Sequence, residues 1–250
     1  MITRLNFDIM RQPDNATCGP TCLQAIYRYH DDPVPLPTVI AEIPQLPSGG
    51  TQAVYLACHA LRRGYATTIY PYDLKIFDPT WAGLLRAELA RRLRSQLAYK
   101  KHLPEFEALT EAYLEYLKLG GRLRFGVLTA ALIRRYLKKS IPILTGLSAT
   151  YLYNCAREYD DGKNMCYDDV RGESMGHFVV LAGYNETDRS VLIADPLLPN
   201  PLASRPYYPV NIYRLICAII LGVLSYDGNL LIISKKGAEG RKAHHLASPV

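Results

Sequence analysis

The period of the apolar residues changes near Ile141, and that change constrains the fold more than any single residue does. Before it the chain reads mostly as helix. Cys22, Ile26 and Tyr29 recur at helical spacing after Thr17 or Cys18, and Leu85, Leu89, Leu93 and Leu97 step every four residues along one face. Thr51 to Arg63 reads as a second core helix, with Gly64 in the C′ position that ends one. Leu128 to Lys138 reads as another, and Tyr65 to Tyr72 as the one strand among them. After the change the pattern is β-rich: Ile141 to Leu147, His177 to Tyr184, Ser190 to Ala194 and Asn229 to Ser234. The run Leu215 to Leu224 reads as a further buried strand, with a core helix as the other reading. Helices gathered before a set of strands indicate an α+β fold.

With 250 residues, of which 49% are apolar and 21% charged, the chain can bury a sizeable core as one globular domain. A net charge of +6 is mild for this length and is no nucleic-acid signature. The longest apolar run falls far short of the ~20 residues that span a bilayer. The first residues, MITRLNFDIM, lack an apolar signal core. Cysteines at 18, 22, 58, 155, 166 and 217 form no close-set framework. The simplest expectation is a cytoplasmic protein with reduced thiols and no membrane or nucleic-acid partner. The stretch 78–139 reads as a helical insertion, and 235–250 as a disordered basic tail.

Chemistry enters at "TCGPTC". A helix beginning at Cys18 offers unpaired N–H groups and the positive end of its dipole, both of which favour a thiolate. Cys18 is therefore a candidate nucleophile, and Cys22, one turn on, a core residue. His177 opens one strand and Asp195 closes the next. If those strands pair symmetrically about Glu186, residue 177 faces 195, 179 faces 193 and 181 faces 191. Opposed Cβ atoms lie about 4.5–5.5 Å apart, so His177 and Asp195 would form an imidazole–carboxylate pair. Gln12, six residues before the thiol, could donate its amide to a tetrahedral oxyanion together with the Cys18 N–H. The polar stretch from Ser148 to Gly176 precedes His177 and is expected to line or cover the cleft. No paired histidines stand beside Cys155 or Cys166, and neither a metal nor a cofactor is expected.

In this order, Gln12, Cys18-Gly19-Pro20-Thr21-Cys22-Leu23, His177-Phe178-Val179-Val180-Leu181 and Ala194-Asp195-Pro196 resemble the papain-like bacteriocin-processing peptidases, which remove double-glycine leaders. The stretch from Gly50 to Tyr65 is similar to that family's region after the first helix. The resemblance implies a single papain-like domain over 1–234, with the Cys18 helix packed on an antiparallel sheet. It implies Cys18 as nucleophile, His177 as general base and acid, Asp195 as orienting acid and Gln12 as oxyanion donor. As a whole the chain more closely resembles stand-alone members encoded beside ATP-grasp peptide ligases. That resemblance implies a cysteine peptidase or amide hydrolase acting on a peptide or peptide-like substrate, with an ATP-grasp ligase as a possible partner. Two alternatives stand beside it: a transpeptidase or acyltransferase with an amine acceptor, and a non-catalytic peptide- or ligase-binding module.

Overall fold

The computed structural model describes residues 2–46, 49–100, 102, 105–160, 165–225 and 228–237. The tail beyond 237 lies outside the described residues. Its elements run β1 (Ile2–Arg4), α1 (Cys18–Tyr29), α2 (Leu36–Glu42), α3 (Ala53–Arg62), β2 (Ala66–Pro71), α4 (Arg86–Lys100) and α5 (Phe106–Lys118). Then follow β3 (Arg122–Leu123), α6 (Ala130–Leu137), β4 (Ile143–Ser148), α7 (Ala149–Tyr153), β5 (Glu158–Asp160) and β6 (Met165–Tyr167). The last are β7 (Gly176–Asn185), β8 (Ser190–Ala194), β9 (Tyr207–Asn211), α8 (Ile212–Leu221) and β10 (Asn229–Ser234).

Seven strands join in the order β3-β2-β10-β4-β7-β8-β9, and β1 adds to β7, making an eight-stranded sheet. Among the described residues, only the β2–β3 pair is parallel. Alternation along β7 sends Phe178, Val180 and Ala182 to one face and Val179 and Leu181 to the other. The first face is covered by α1 to α5, through Leu23, Ile26, Leu56, Leu93 and Tyr116. The second is covered by α6, α7 and α8, through Ile133, Leu152, Leu215 and Ile219. The two buried faces explain why β4 and β10 read as continuous apolar runs rather than alternating ones.

Two sequence expectations change here. Residues 215–224 are not a strand: α8 begins at Ile212, capped by the Asn211 side chain, which accepts the Tyr213 N–H at 2.9 Å. A short run of apolar residues does not separate a buried helix from a buried strand. Of the leucine stripe on α4, Leu89 and Leu93 are buried and Leu97 partly so, while Leu85 is 80% exposed because it precedes the helix. The end of α3 follows expectation. Gly64 has φ +90°, its N–H reaches Leu61 O, and the Tyr65 N–H reaches Ala60 O, a Schellman closure.

The β7–β8 register also differs from the symmetric pairing. Val180 faces Ala194 and Leu181 faces Ile193; after a bulge, Gly183 faces Leu192 and Asn185 faces Ser190. The turn is centred later than Glu186 because Asn185 Oδ1 takes the Thr187 N–H and Asp188 Oδ1 takes the Ser190 N–H. His177 therefore does not face Asp195. Continued by one residue, the register would set Asp195 opposite Val179, with His177 a diagonal neighbour. A displacement of two residues keeps both side chains on one face, so their contact survives.

Candidate functional site

Cys18 is the first residue of α1 and is 8% exposed. Pro20 sits in the first turn, where its missing N–H leaves no gap. Thr17 stands at the N-cap without a side-chain cap, so no side-chain oxygen there competes for the first-turn N–H groups. Gly19 lets this end of the helix approach the sheet: a Cβ there would lie 2.6 Å from Thr51 Cγ2 and 3.2 Å from Phe178 Cδ2.

His177 Nε2 meets Asp195 Oδ1 at 2.8 Å, and neither side chain is more than 4% exposed. With Nε2 so engaged, Nδ1 is the ring nitrogen left for Cys18, which borders the same cavity. Burial alone would lower the His177 pKa. The charges of Asp195 and Cys18 overcome it and push the imidazolium up to about 10. Burial likewise penalises the Asp195 carboxylate, yet His177, Tyr208 and the Leu197 N–H hold it below its ordinary value. Both shifts favour the charged pair.

Asp195 accepts four hydrogen bonds. Oδ1 takes His177 Nε2 and the Leu197 N–H at 2.9 Å; Oδ2 takes the Tyr153 hydroxyl at 2.8 Å and the Tyr208 hydroxyl. A fully buried carboxylate needs such donors to stay ionised. Sequence reasoning missed both tyrosines. Tyr153 ends α7 in a stretch with no clear period, and Tyr208 depends on the β8–β9 register, which sets it opposite Ile193.

Gln12 is placed differently. Its backbone N–H donates to Pro196 O at 2.9 Å and its Nε2 to Asp14 O at 2.8 Å, while the buried Oε1 accepts nothing among the described residues. It stands beside the Asp195–Pro196 segment and not on the cavity wall. The structure thus brings together Cys18, His177 and Asp195, with Gln12 one loop away.

The cavity beside Cys18 and His177 has a volume of about 850 Å³. Gly50, Thr51 and Gln52 form one wall, and Gly146 and Leu147 of β4 another. Glu158, Glu173 and Ser174 come from the stretch expected to line the cleft. Burial raises the Glu158 carboxyl pKa, against the pull of His177. Cys22 belongs to the core: it is fully buried, its thiol donates to Phe178 O at 3.3 Å, and burial with the charges of Cys18 and Asp195 pushes its pKa well up. All six cysteines are free thiols. Among the described residues, no cluster of three or more His, Cys, Asp or Glu could hold a metal, and no helix is long and apolar enough to cross a membrane.

Three solved structures align with most of this chain. The double glycine motif protease from an AMS/PCAT transporter, in complex with the leader peptide, is 14% identical, with 93% of this chain and 94% of that one covered at a TM-score of 0.43. The peptidase domain of Streptococcus ComA, a bi-functional ABC transporter, is 13% identical, covering 92% and 100% at 0.41. Xylellain, a cysteine protease from Xylella fastidiosa, is 13% identical, covering 94% and 85% at 0.40. No curated protein matches the sequence. The model of the Peptidase_C39 like family matches residues 91–213, from within α4 to the start of α8; this stretch includes His177 and Asp195 and leaves out α1 with Cys18. Over residues 91–213 the chain is thus similar to the Peptidase_C39 like family, and its α+β fold sets the Cys18 helix on a largely antiparallel sheet.

Proposed function

We propose that the protein is a cysteine peptidase that cleaves an amide bond of a peptide or peptide-like substrate through an acyl-thioester on Cys18. The observation that supports the reading is the contact of His177 Nε2 with Asp195 at 2.8 Å, which leaves Nδ1 available to Cys18 on the wall of the same cavity. The Cys18 proton passes to His177 Nδ1, and the sulfur attacks the substrate carbonyl carbon. The C–N bond of the tetrahedral adduct then breaks, and the leaving amine takes the proton from His177. Water, deprotonated by the same nitrogen, attacks the thioester, and the carboxylic acid product departs as the thiol re-forms. The Cys18 N–H at the uncapped start of α1 serves the developing oxyanion, and the Gln12 amide would join it as a second donor only on leaving Asp14 O. Asp195 holds the ring in place and stabilises the imidazolium without taking its proton. On the resemblance to chains encoded beside ATP-grasp ligases, we also propose such a ligase as a partner.

Iodoacetamide labelling across pH, read by peptide mass spectrometry, tests the site. Cys18 should alkylate rapidly well below ~8.5, where free cysteine titrates, and Cys18→Ala should lose that label and all turnover. Labelling of Cys18 at the rate of an ordinary thiol would overturn the proposal.

A further inference from the structure

A second cavity, of about 620 Å³, shares no lining residue with the first. It lies where the edge strand β3 runs into α6. Its floor is apolar, with Leu84, Leu123, Phe125 and Leu132, and Val127 stands 81% exposed at its rim. Two cations enter it, Arg124 and Arg135, and no Asp or Glu lines it. Arg135 Nη2 donates to the Tyr70 hydroxyl at 3.0 Å, and that hydroxyl pairs with Tyr136 at 2.8 Å, so one edge of the guanidinium is fixed. Arg124 lines the same cavity as Tyr70 and Arg135, which sets the two guanidiniums on the walls of one cavity. Neither arginine forms an ion pair among the described residues.

Two guanidiniums above an apolar floor, with no acid to neutralise them, match an anion carried on an apolar body. The planar fork of arginine favours a carboxylate over a spherical ion. We propose that this cavity binds a carboxylate attached to an aromatic or aliphatic group, supplied by a small organic acid or by the C-terminus of a peptide. The site is independent of chemistry at Cys18.

Calorimetric titration of the full chain with N-acetyl-L-phenylalanine, N-acetyl-Gly-Gly-Ala-Phe and the C-terminal amide of each tests the proposal. The acids should bind at least about tenfold more tightly than their amides, since the pair differs by one charge-assisted contact. Arg124→Gln and Arg135→Gln should each remove that preference, and Arg135→Lys should restore part of it. Arg124 is exposed and bonds no other side chain among the described residues, so its variant should keep the wild-type melting temperature. Tighter binding of the tetrapeptide than of the amino acid assigns the ligand to a peptide C-terminus, and equal binding assigns it to a small acid. Equal affinity for acids and amides, no binding of either acid, or acid binding unaffected by both glutamine variants would overturn the inference.

Discussion

His177 and Asp195 hold each other at 2.8 Å from positions that do not face each other across β7 and β8. The carboxylate reaches diagonally from just beyond the end of β8, and Tyr153 and Tyr208 fix its other oxygen. Asp195→Ala would leave the imidazole buried without its counter-charge and orphan two hydroxyls. We expect a loss of about 3–5 kcal/mol in urea unfolding, with a smaller loss for Asp195→Asn, which keeps the shape. A loss below ~1 kcal/mol for the alanine variant would mean that the network does not hold in solution.

Removing one donor should be milder and specific. Tyr208→Phe takes a hydroxyl from Asp195 Oδ2 and should cost about 1.5–3 kcal/mol, the range for hydrogen bonds to charged groups. The Asp195 carboxyl, now less well supported, should titrate higher in carboxylate NMR spectra. An unchanged titration would remove Tyr208 from the site.

The His177 proton sets a pH window. Its pKa is raised from 6.5 to about 10, so the stability it contributes is complete below 6.5 and fades as pH rises through about 10. The urea midpoint of the wild type should exceed that of His177→Gln by a constant margin below pH 6.5, and the margin should shrink as pH rises from 6.5 to about 10. Imidazole ¹⁵N spectra should place the titration well above 6.5, and Cys18→Ala, which removes one of the two groups that raise it, should bring it down.

Gly19 is a packing requirement. In Gly19→Ala the new methyl meets Thr51 Cγ2 at 2.6 Å, so the start of α1 must shift or Thr51 must move. We expect a loss of about 1–3 kcal/mol together with slower alkylation of Cys18. Thr51→Ser removes that methyl and keeps the hydroxyl bond to Pro44 O, so the double variant should recover part of the loss.

Gln12→Ala separates oxyanion support from thiol activation. If the amide assists the tetrahedral intermediate, kcat should fall about 10²- to 10³-fold while iodoacetamide labelling of Cys18 stays near the wild-type rate. Parallel loss of both would mark Gln12 as a brace for the Asp195–Pro196 segment, to which its N–H is bonded at 2.9 Å.

Much of this arrangement can be read from residue order. Helical spacing after Cys18, Gly64 after α3 and the β-rich second half all have local physical causes, and each element forms close to where that spacing puts it. Legibility fails where the cause is not local. The β7–β8 register depends on a bulge near Gly183, where β1 approaches so closely that a Cβ would lie 2.6 Å from Thr3 O. α8 is a helix because the second face of the sheet is covered by helices, a fact absent from residues 212–221 themselves. Tyr153 and Tyr208 join Asp195 only once α7 and β9 are packed together on that face.

Among the described residues, the two-stranded sheet of β5 and β6 shares no strand pairing with the eight-stranded sheet, yet Glu158 from it stands in the wall beside His177. It is held back to the chain by its bridge to Glu173. The ladders of the large sheet and this part of the cavity wall are therefore supplied by different pieces of the molecule. Exchange of these two strands would leave the scaffold's ladders whole, so the wall beside Cys18 can be recast at little thermodynamic risk to the fold.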